Sequence, residues 1–388
     1  MGGQNYLVNL LSVLSEYGKD DCECVVFLGV GTDQELSDRI SSISRVKVVQ
    51  SRKFGGSRYY SFLRKMISFL LQHDYIAESE FRKYEVDVVF QHQAWYGLHF
   101  RLPTVAWIAD FQHRRLPSMF SRLKRLWRDI GYHALGNSAT QIMVSSQDAG
   151  RDCEAYYRST LGKIVAVPFA IKSPADSAEQ FSLELNTASY GLPKRFFFLP
   201  NQFWKHKNHL LVVEALALAK ASVPGIVVAV TGLLADNRHP AYPESVMTRV
   251  SSLGLDGNFV YLGKIAHGEV LALMSRAIAT LNPSLFEGWS TTVEEAKSLA
   301  CKLLLSDIPI HREQAESFQA DFFDPHDPGD LAQKLISMWA SGDAGQEIEF
   351  QRRSALKLAY EENRKQFASK FLAVCKAATE IHCERNRE

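Results

Sequence analysis

The sequence predicts an α/β protein made of two Rossmann-like domains facing each other across a cleft. Three observations predict it. Short β-branched runs are apolar throughout, as strands covered on both faces must be. Each run is followed by a longer stretch of helical period. The chain, at 388 residues, exceeds what one hydrophobic core usually serves.

In the first half the runs are residues 24–30, 46–49, 87–90, 104–107, 141–145 and 164–168. In the second they are 196–199, 225–231, 259–262, 279–282, 302–305 and 321–323. Two such series in tandem predict two domains, 1–171 and 172–364, with a terminal helix over about 365–388 packing back on the first. The polar stretch 172–193 is the expected joint. Ligands of open parallel sheets sit beyond the carboxyl ends of the strands, so the site is expected in the cleft. At the amino end, Gly2 and Gly3 lead into a helix whose Leu7, Leu10, Leu11 and Leu14 share one face. A glycine pair before a helix normally follows a strand. None precedes it here, so the first strand of the N-terminal domain reads as missing.

Composition excludes several classes. Hydrophobic residues at 46% and charged residues at 22% are globular values, which excludes disorder. A net charge of +1 does not favour nucleic acid as a partner. No apolar run is long enough to span a bilayer and no secretory signal is visible, which predicts a cytoplasmic protein. The six cysteines follow neither zinc-ligand nor disulfide-framework spacing and read as reduced thiols.

The richest segment is residues 281–296. A strand ends near Asn282, and a helix starts at Thr291 or Thr292, with Gly288 in the turn and Ser290, Thr291 and Thr292 as candidate caps. The amino end of that helix offers N–H groups and a positive dipole to a diphosphate. Glu287 falls before the helix and Glu295 one turn inside it, where they can accept hydroxyls of a donor sugar and a nucleotide ribose. The spacing Glu287-x7-Glu295, inside Pro-Ser-Leu-Phe-Glu-Gly-Trp, resembles the signature of retaining glycosyltransferases of the GT-B fold, family 4. That resemblance is strongest over residues 201–314. It implies that Glu287 meets the transferred sugar and Glu295 the ribose, with Trp289 in the same donor loop.

Residues 199–210 follow the first strand of the second domain. A lysine there can neutralise charge growing on a departing diphosphate. Lys207 matches the lysine of the family's phosphate-binding loop. Gln202, or Asn201 in another alignment, stands where the family has arginine, which leaves Lys207 with neutral donors and Lys205. The resemblance also places Leu262, Gly263 and Lys264 beside the nucleotide base. Ser306, His311 and Arg312 are expected to support the donor loop.

On the acceptor side, the loop after residues 104–107 carries Asp110 and His113, and the resemblance puts one of them near the transferred sugar. Gly2 and Gly3 resemble the family's glycine loop, which faces donor phosphate and acceptor. Two segments mix cations with aromatics: Arg58, Arg64 and Lys65 among Tyr59, Tyr60 and Phe62, and Arg122, Lys124, Arg125 and Arg128 beside Trp127. Such helices can rest on an anionic membrane surface, which adds peripheral contact at its inner face to the expectation. No Asp-x-Asp occurs, so no metal and no cofactor are expected. The reading is a metal-independent retaining glycosyltransferase, moving a sugar from a nucleotide-diphosphate sugar to a glycan or lipid-linked acceptor. A non-catalytic sugar-nucleotide-binding protein is the alternative.

Overall fold

The computed structural model describes residues 2–55, 58–92, 94–171, 190–341, 350–385 and 387. Most of the expected joint, residues 172–189, lies outside them. The chain divides into two compact units. One comprises Met1–Arg114, Ser121–Ala170 and Glu362–Glu388, the other Arg115–Phe120 and Ile171–Glu361.

The first unit holds β1 (Cys24–Gly29), β2 (Val46–Ser51), β3 (Val89–His92), β4 (Thr104–Ile108), β5 (Gln141–Val144) and β6 (Ile164–Ala166). Its helices are α1 (Gly2–Tyr17), α2 (Gln34–Ser41), α3 (Arg58–Leu71), α4 (Tyr75–Lys83), α5 (Gln112–Arg115), α6 (Arg122–Ser138) and α7 (Gln147–Tyr156). All strand pairs are parallel, but they fall into two sheets, β1-β2 and β3-β4-β5-β6. Along β4 and β5 every residue is buried, and their Ala106, Ile108, Ile142 and Val144 form a core with Leu135 and Cys153 from α6 and α7. Gly2 and Gly3 were expected in a loop; they form the first turn of α1 instead. A helix start leaves its first amides without intrahelical partners, so residues without side chains are tolerated there.

The second unit holds β7 (Phe197–Leu199), β8 (Val228–Val230), β9 (Phe259–Tyr261), β10 (Thr280–Asn282), β11 (Leu303–Ser306) and β12 (Ala320–Phe323). Its helices are α8 (His209–Ser222), α9 (Tyr242–Ser252), α10 (His267–Arg276), α11 (Thr291–Ser298), α12 (Pro309–Gln314) and α13 (Pro328–Ala340). The last helix of the chain, α14, runs Phe350–Arg385. The six strands make one parallel sheet in the order β12-β11-β10-β7-β8-β9, which reverses direction between β7 and β10. Alternate residues face opposite layers. Phe197, Leu199, Val228 and Val230 pack with α8, α9 and α13, while Phe196, Phe198 and Ala229 pack with residues of α10 and α11. The fully apolar runs therefore become strands buried on both faces.

Candidate functional site

In an open parallel sheet the crevice lies where strand order reverses. In the second unit that point is between β7 and β10, and two loops meet there. Asn201, just after β7, donates through Nδ2 to Asn282 Oδ1 at the end of β10 (3.2 Å), and Asn282 Nδ2 donates to Ser290 Oγ (2.9 Å). All three side chains are buried. A buried amide must be paired, so each fixes the next, and the loop carrying Glu287 is tied to the loop carrying Lys207.

Lys207 ends a short 3-10 turn, Lys205–Lys207, and Asn208 follows in the left-handed region at φ 57° before α8 begins. The turn directs the Lys207 ammonium into a hydrogen-bonded ion pair with Glu287 Oε1, both side chains nearly buried. Ser284 Oγ donates its one proton to the same carboxylate oxygen (2.6 Å). Burial works against the charge on Glu287, but the charge of Lys207 and the hydrogen bonds from Lys207 and Ser284 outweigh it and hold the carboxyl below its usual range. His206, buried and next to Lys207, is pushed down to about 3 and is neutral. Its Nδ1 lies 3.4 Å from Arg238 Nη2.

Behind Glu287 stands a second layer. Ser306 Oγ donates to the carbonyl of Ser284 (2.6 Å), and buried His311 lies with Nδ1 2.9 Å from the carbonyl of Ser306. Burial first, with the charge of Lys207 adding to it, lowers His311 to about 4, so its ring is neutral. Ser306 and His311 thus brace the loop that presents Glu287. Arg312 instead forks onto Asp307 (both contacts 2.7 Å) at the surface.

α11 starts at Thr291, with Ser290 as its cap accepting from Val293 N–H (3.4 Å). Gln314 grips Ser290 from both sides, accepting from its N–H (3.0 Å) and donating to its carbonyl (3.1 Å). Gly288 and Trp289 complete the half-buried turn in front of it. The two glutamates in α11 differ in kind. Glu294 is 3% exposed and receives hydrogen bonds from Tyr360 (2.7 Å), Gln314 (3.0 Å) and Lys297 (3.2 Å). Glu295 is partly buried at 19% side-chain exposure, with His267 Nε2 2.9 Å from its Oε1. That hydrogen bond raises His267 above its ordinary value, against the opposing effect of burial.

Gln202, at the expected arginine position, accepts from Leu233 N–H (2.7 Å) and so braces the loop after β8. That loop passes close to the first: a side chain at Gly232 would stand 2.5 Å from the carbonyl of Asn201, and φ there is +146°. At the end of β9, Leu262 N–H pairs with Val230, while the Gly263 carbonyl accepts from Thr231 Oγ1 (2.5 Å) and Gly232 N–H (3.1 Å). With both lone pairs so used, Gly263 contributes shape, and Lys264 beyond it is exposed. Lys205 is exposed, and its N–H caps Asp236 (2.9 Å).

In the first unit, Asp110 follows β4 and is half-exposed, accepting from Gln112 N–H (3.0 Å). His113 is fully buried, its Nε2 3.0 Å from both Asp129 Oδ1 and Tyr157 OH. Burial lowers its pKa, the contacts with Asp129 opposing that shift. Of the two candidates, Asp110 alone has surface to offer a substrate.

Sequence reasoning missed Arg238, Gln314 and Tyr360. For Arg238 a local signal existed: Asp236 two positions earlier accepts its N–H (2.8 Å), an Asx turn that sets the side chain against His206. The other two reach Ser290 and Glu294 from distant elements, and no local pattern announces them.

Residues 184–353 match the family of glycosyl transferases group 1. Solved structures share the fold across nearly the whole chain. Anabaena Alr3699/HepE in complex with UDP is 12% identical, with a TM-score of 0.64 and coverage of 96% of this chain and 95% of that one. Sucrose-phosphate synthase from Thermosynechococcus elongatus is 14% identical, with a TM-score of 0.60 over 98% and 92%. WaaG, a glycosyltransferase involved in lipopolysaccharide biosynthesis, is 16% identical, with a TM-score of 0.56 over 94% and 91%. No curated protein matches the chain in sequence. The fold is therefore that of GT-B glycosyltransferases, with two Rossmann-like domains.

Proposed function

We propose that the protein is a retaining glycosyltransferase that uses a nucleotide-diphosphate sugar and no metal. One observation carries the reading: a nearly buried Lys207–Glu287 pair, held at the switch point of a six-stranded parallel sheet, beside the amino end of α11. A buried ion pair contributes little to stability compared with apolar groups of the same size, so its presence at a crevice favours a chemical role. The matched family and the neighbour solved with UDP support a nucleotide-sugar donor.

In the proposed reaction, Lys207 and the first amides of α11 hold the diphosphate, and Arg238 supplies the second positive charge that Gln202 cannot. Glu287 accepts a hydroxyl of the sugar and Glu295 one of the ribose. The bond from the anomeric carbon to the phosphate oxygen breaks, and the acceptor hydroxyl attacks from the same face. Its proton passes to the leaving phosphate oxygen, giving glycoside and nucleoside diphosphate.

A lipid-linked or membrane-borne glycan is the proposed acceptor. α6 exposes Leu123 (63%), Leu126 (55%), Trp127 (65%) and Ile130 (45%), an i, i+3, i+4, i+7 stripe, with exposed Arg122, Lys124 and Arg128 alongside. Apolar residues flanked by cations suit an anionic bilayer surface. On α3, Phe62, Met66 and Phe69 are exposed too; the side chains of Arg58, Tyr59, Tyr60 and Lys65 lie outside the described residues. No described helix is long and apolar enough to cross a membrane.

The test is a thermal-shift screen of the purified protein against UDP-, GDP-, dTDP- and ADP-sugars, followed by product analysis with the donor that binds. A donor binding only the folded state raises the melting temperature. Transfer or donor hydrolysis with net retention is expected, undiminished by a chelator. Binding without turnover would favour a non-catalytic nucleotide-sugar-binding protein, the reading that Gln202 in place of arginine supports. No shift with any donor would refute both.

A further inference from the structure

Tyr360 sits in the part of α14 that belongs to the second unit, and it is 3% exposed. Phenylalanine would fill the same place, and a buried phenol costs free energy unless its hydroxyl is paired. This hydroxyl is paired entirely on Glu294. Its oxygen lies 2.5 Å from the Glu294 carbonyl and 2.7 Å from Glu294 Oε2, and its one proton is shared between them. The carbonyl belongs to the rigid peptide unit whose other end is the nitrogen of Glu295. The phenol therefore grips the backbone where Glu295 begins.

The other oxygen of Glu294 is held as firmly. Oε1 accepts from Gln314 Nε2 (3.0 Å) and from Lys297 Nζ (3.2 Å). Gln314 in turn pairs with the N–H and carbonyl of Ser290 at the start of α11, and Ser290 Oγ accepts from Asn282 (2.9 Å). A polar line thus runs from Tyr360 through Glu294, Gln314 and Ser290 to Asn282, every member buried. In such a line each group fixes the orientation of the next. Burial, followed by the charges of Glu294 and Glu295, raises the Tyr360 phenol well above its ordinary value, so it remains a donor throughout the neutral range. Without the hydroxyl, Oε2 of a buried carboxylate is stranded. The carboxylate then turns towards another donor, and the peptide unit it shares with Glu295 turns with it.

We propose that Tyr360 is a positioning residue for nucleotide recognition: by holding the Glu294–Glu295 peptide unit, it aims the Glu295 carboxylate at the ribose hydroxyls. This assignment rests on the nucleotide-sugar reading of the site and adds the residue that sets its ribose contact. Tyr360 itself touches no substrate. Acting through Glu295, it affects only ligands that carry ribose hydroxyls. A residue that merely kept α11 in place would affect every ligand at the amino end of that helix alike.

The experiment uses calorimetric titration with two probes. One is whichever of UDP, GDP and ADP binds the wild type most tightly; the other is its 2′,3′-dideoxy analogue. Phenylalanine keeps the volume of the ring, and circular dichroism with a melting curve verifies that Tyr360→Phe is folded. Tyr360→Phe is expected to weaken the ribonucleotide about five- to tenfold and the dideoxy analogue less than about twofold, the size of losing one charge-assisted hydrogen bond. Placed in Glu295→Ala, the same change should alter neither probe by more than about twofold, because the two residues act as one unit. Equal weakening of both probes would reduce Tyr360 to a structural role and overturn the proposal, as would unchanged binding of both. A wild type that binds the two probes equally would also overturn it, while leaving nucleotide binding intact. A wild type that binds none of the three nucleoside diphosphates would overturn it together with the glycosyltransferase reading.

Discussion

The backbone N–H of Leu285 donates to the carbonyl oxygen of His206 at 2.8 Å, which clips the loop after β10 onto the loop after β7. Two residues further along the first loop and one along the second, Glu287 and Lys207 close the ion pair. The clip fixes the geometry, so the pair can be desolvated without being mobile. Removing Lys207 alone strands a charged carboxylate in a buried place. Lys207→Ala is expected to lose about 3–5 kcal/mol of stability, and Lys207→Ala/Glu287→Ala much less than the two single losses added. Urea unfolding of the three variants checks this. Sugar transfer by Lys207→Ala should fall by about two to three powers of ten.

Glu294 and Glu295 are neighbours in α11 with opposite surroundings, and they should separate cleanly. Glu294→Ala breaks the cluster of Tyr360, Gln314 and Lys297 and is expected to lose about 3 kcal/mol. Glu295→Ala should leave stability within about 1 kcal/mol, because its partner His267 is mostly exposed. Donor turnover should drop about a hundredfold or more in Glu295→Ala. Near-wild-type transfer by that variant would remove Glu295 from the donor site.

His267 makes the site sensitive to pH. Its folded-state pKa is raised, chiefly by the hydrogen bond to Glu295. The stabilisation from this pair is therefore complete below the ordinary histidine value near 6.5 and is lost as pH rises through the raised value. A ribose hydroxyl competing for Glu295 meets least opposition once His267 is neutral. Donor affinity is expected to increase about two- to fivefold as pH rises through that range, and His267→Ala should flatten the profile. Calorimetric titrations of donor into both proteins at several pH values test it.

Membrane contact through α6 predicts that the protein sediments with vesicles of anionic lipid and not with zwitterionic ones. Trp127 fluorescence should shift to the blue on binding. Trp127→Ala/Leu126→Ser should lose binding about tenfold without changing the melting temperature, since both side chains are exposed. Sedimentation of wild type unaffected by lipid charge would argue for another use of this stripe.

The fold was legible because its signal is local and repeated. Each of the twelve apolar runs overlaps a strand, and residues such as Phe197–Leu199 need no context to read as buried on both faces. The helix start at Thr291 and the strand end at Asn282 were readable from capping and turn chemistry for the same reason. Contacts between distant segments were not. Nothing near Lys207 in the chain names Glu287 as its partner, and nothing near Glu294 names Tyr360. His113 illustrates the limit from the other side. Its loop position suggested access to substrate, yet Asp129 and Tyr157, sixteen and forty-four positions away, enclose it.

The uncharged margin of β1 also has a practical meaning for anyone handling the protein. The edge of β1 away from β2, flanked by Val25, Val26 and Phe27, pairs with no other described strand and is a template on which an extended chain can form its own hydrogen bonds. Preparations are expected to turn turbid on concentration or warming, through stacking of one molecule's β1 on another's. Solubility, rather than catalysis, is then the property that this margin governs first.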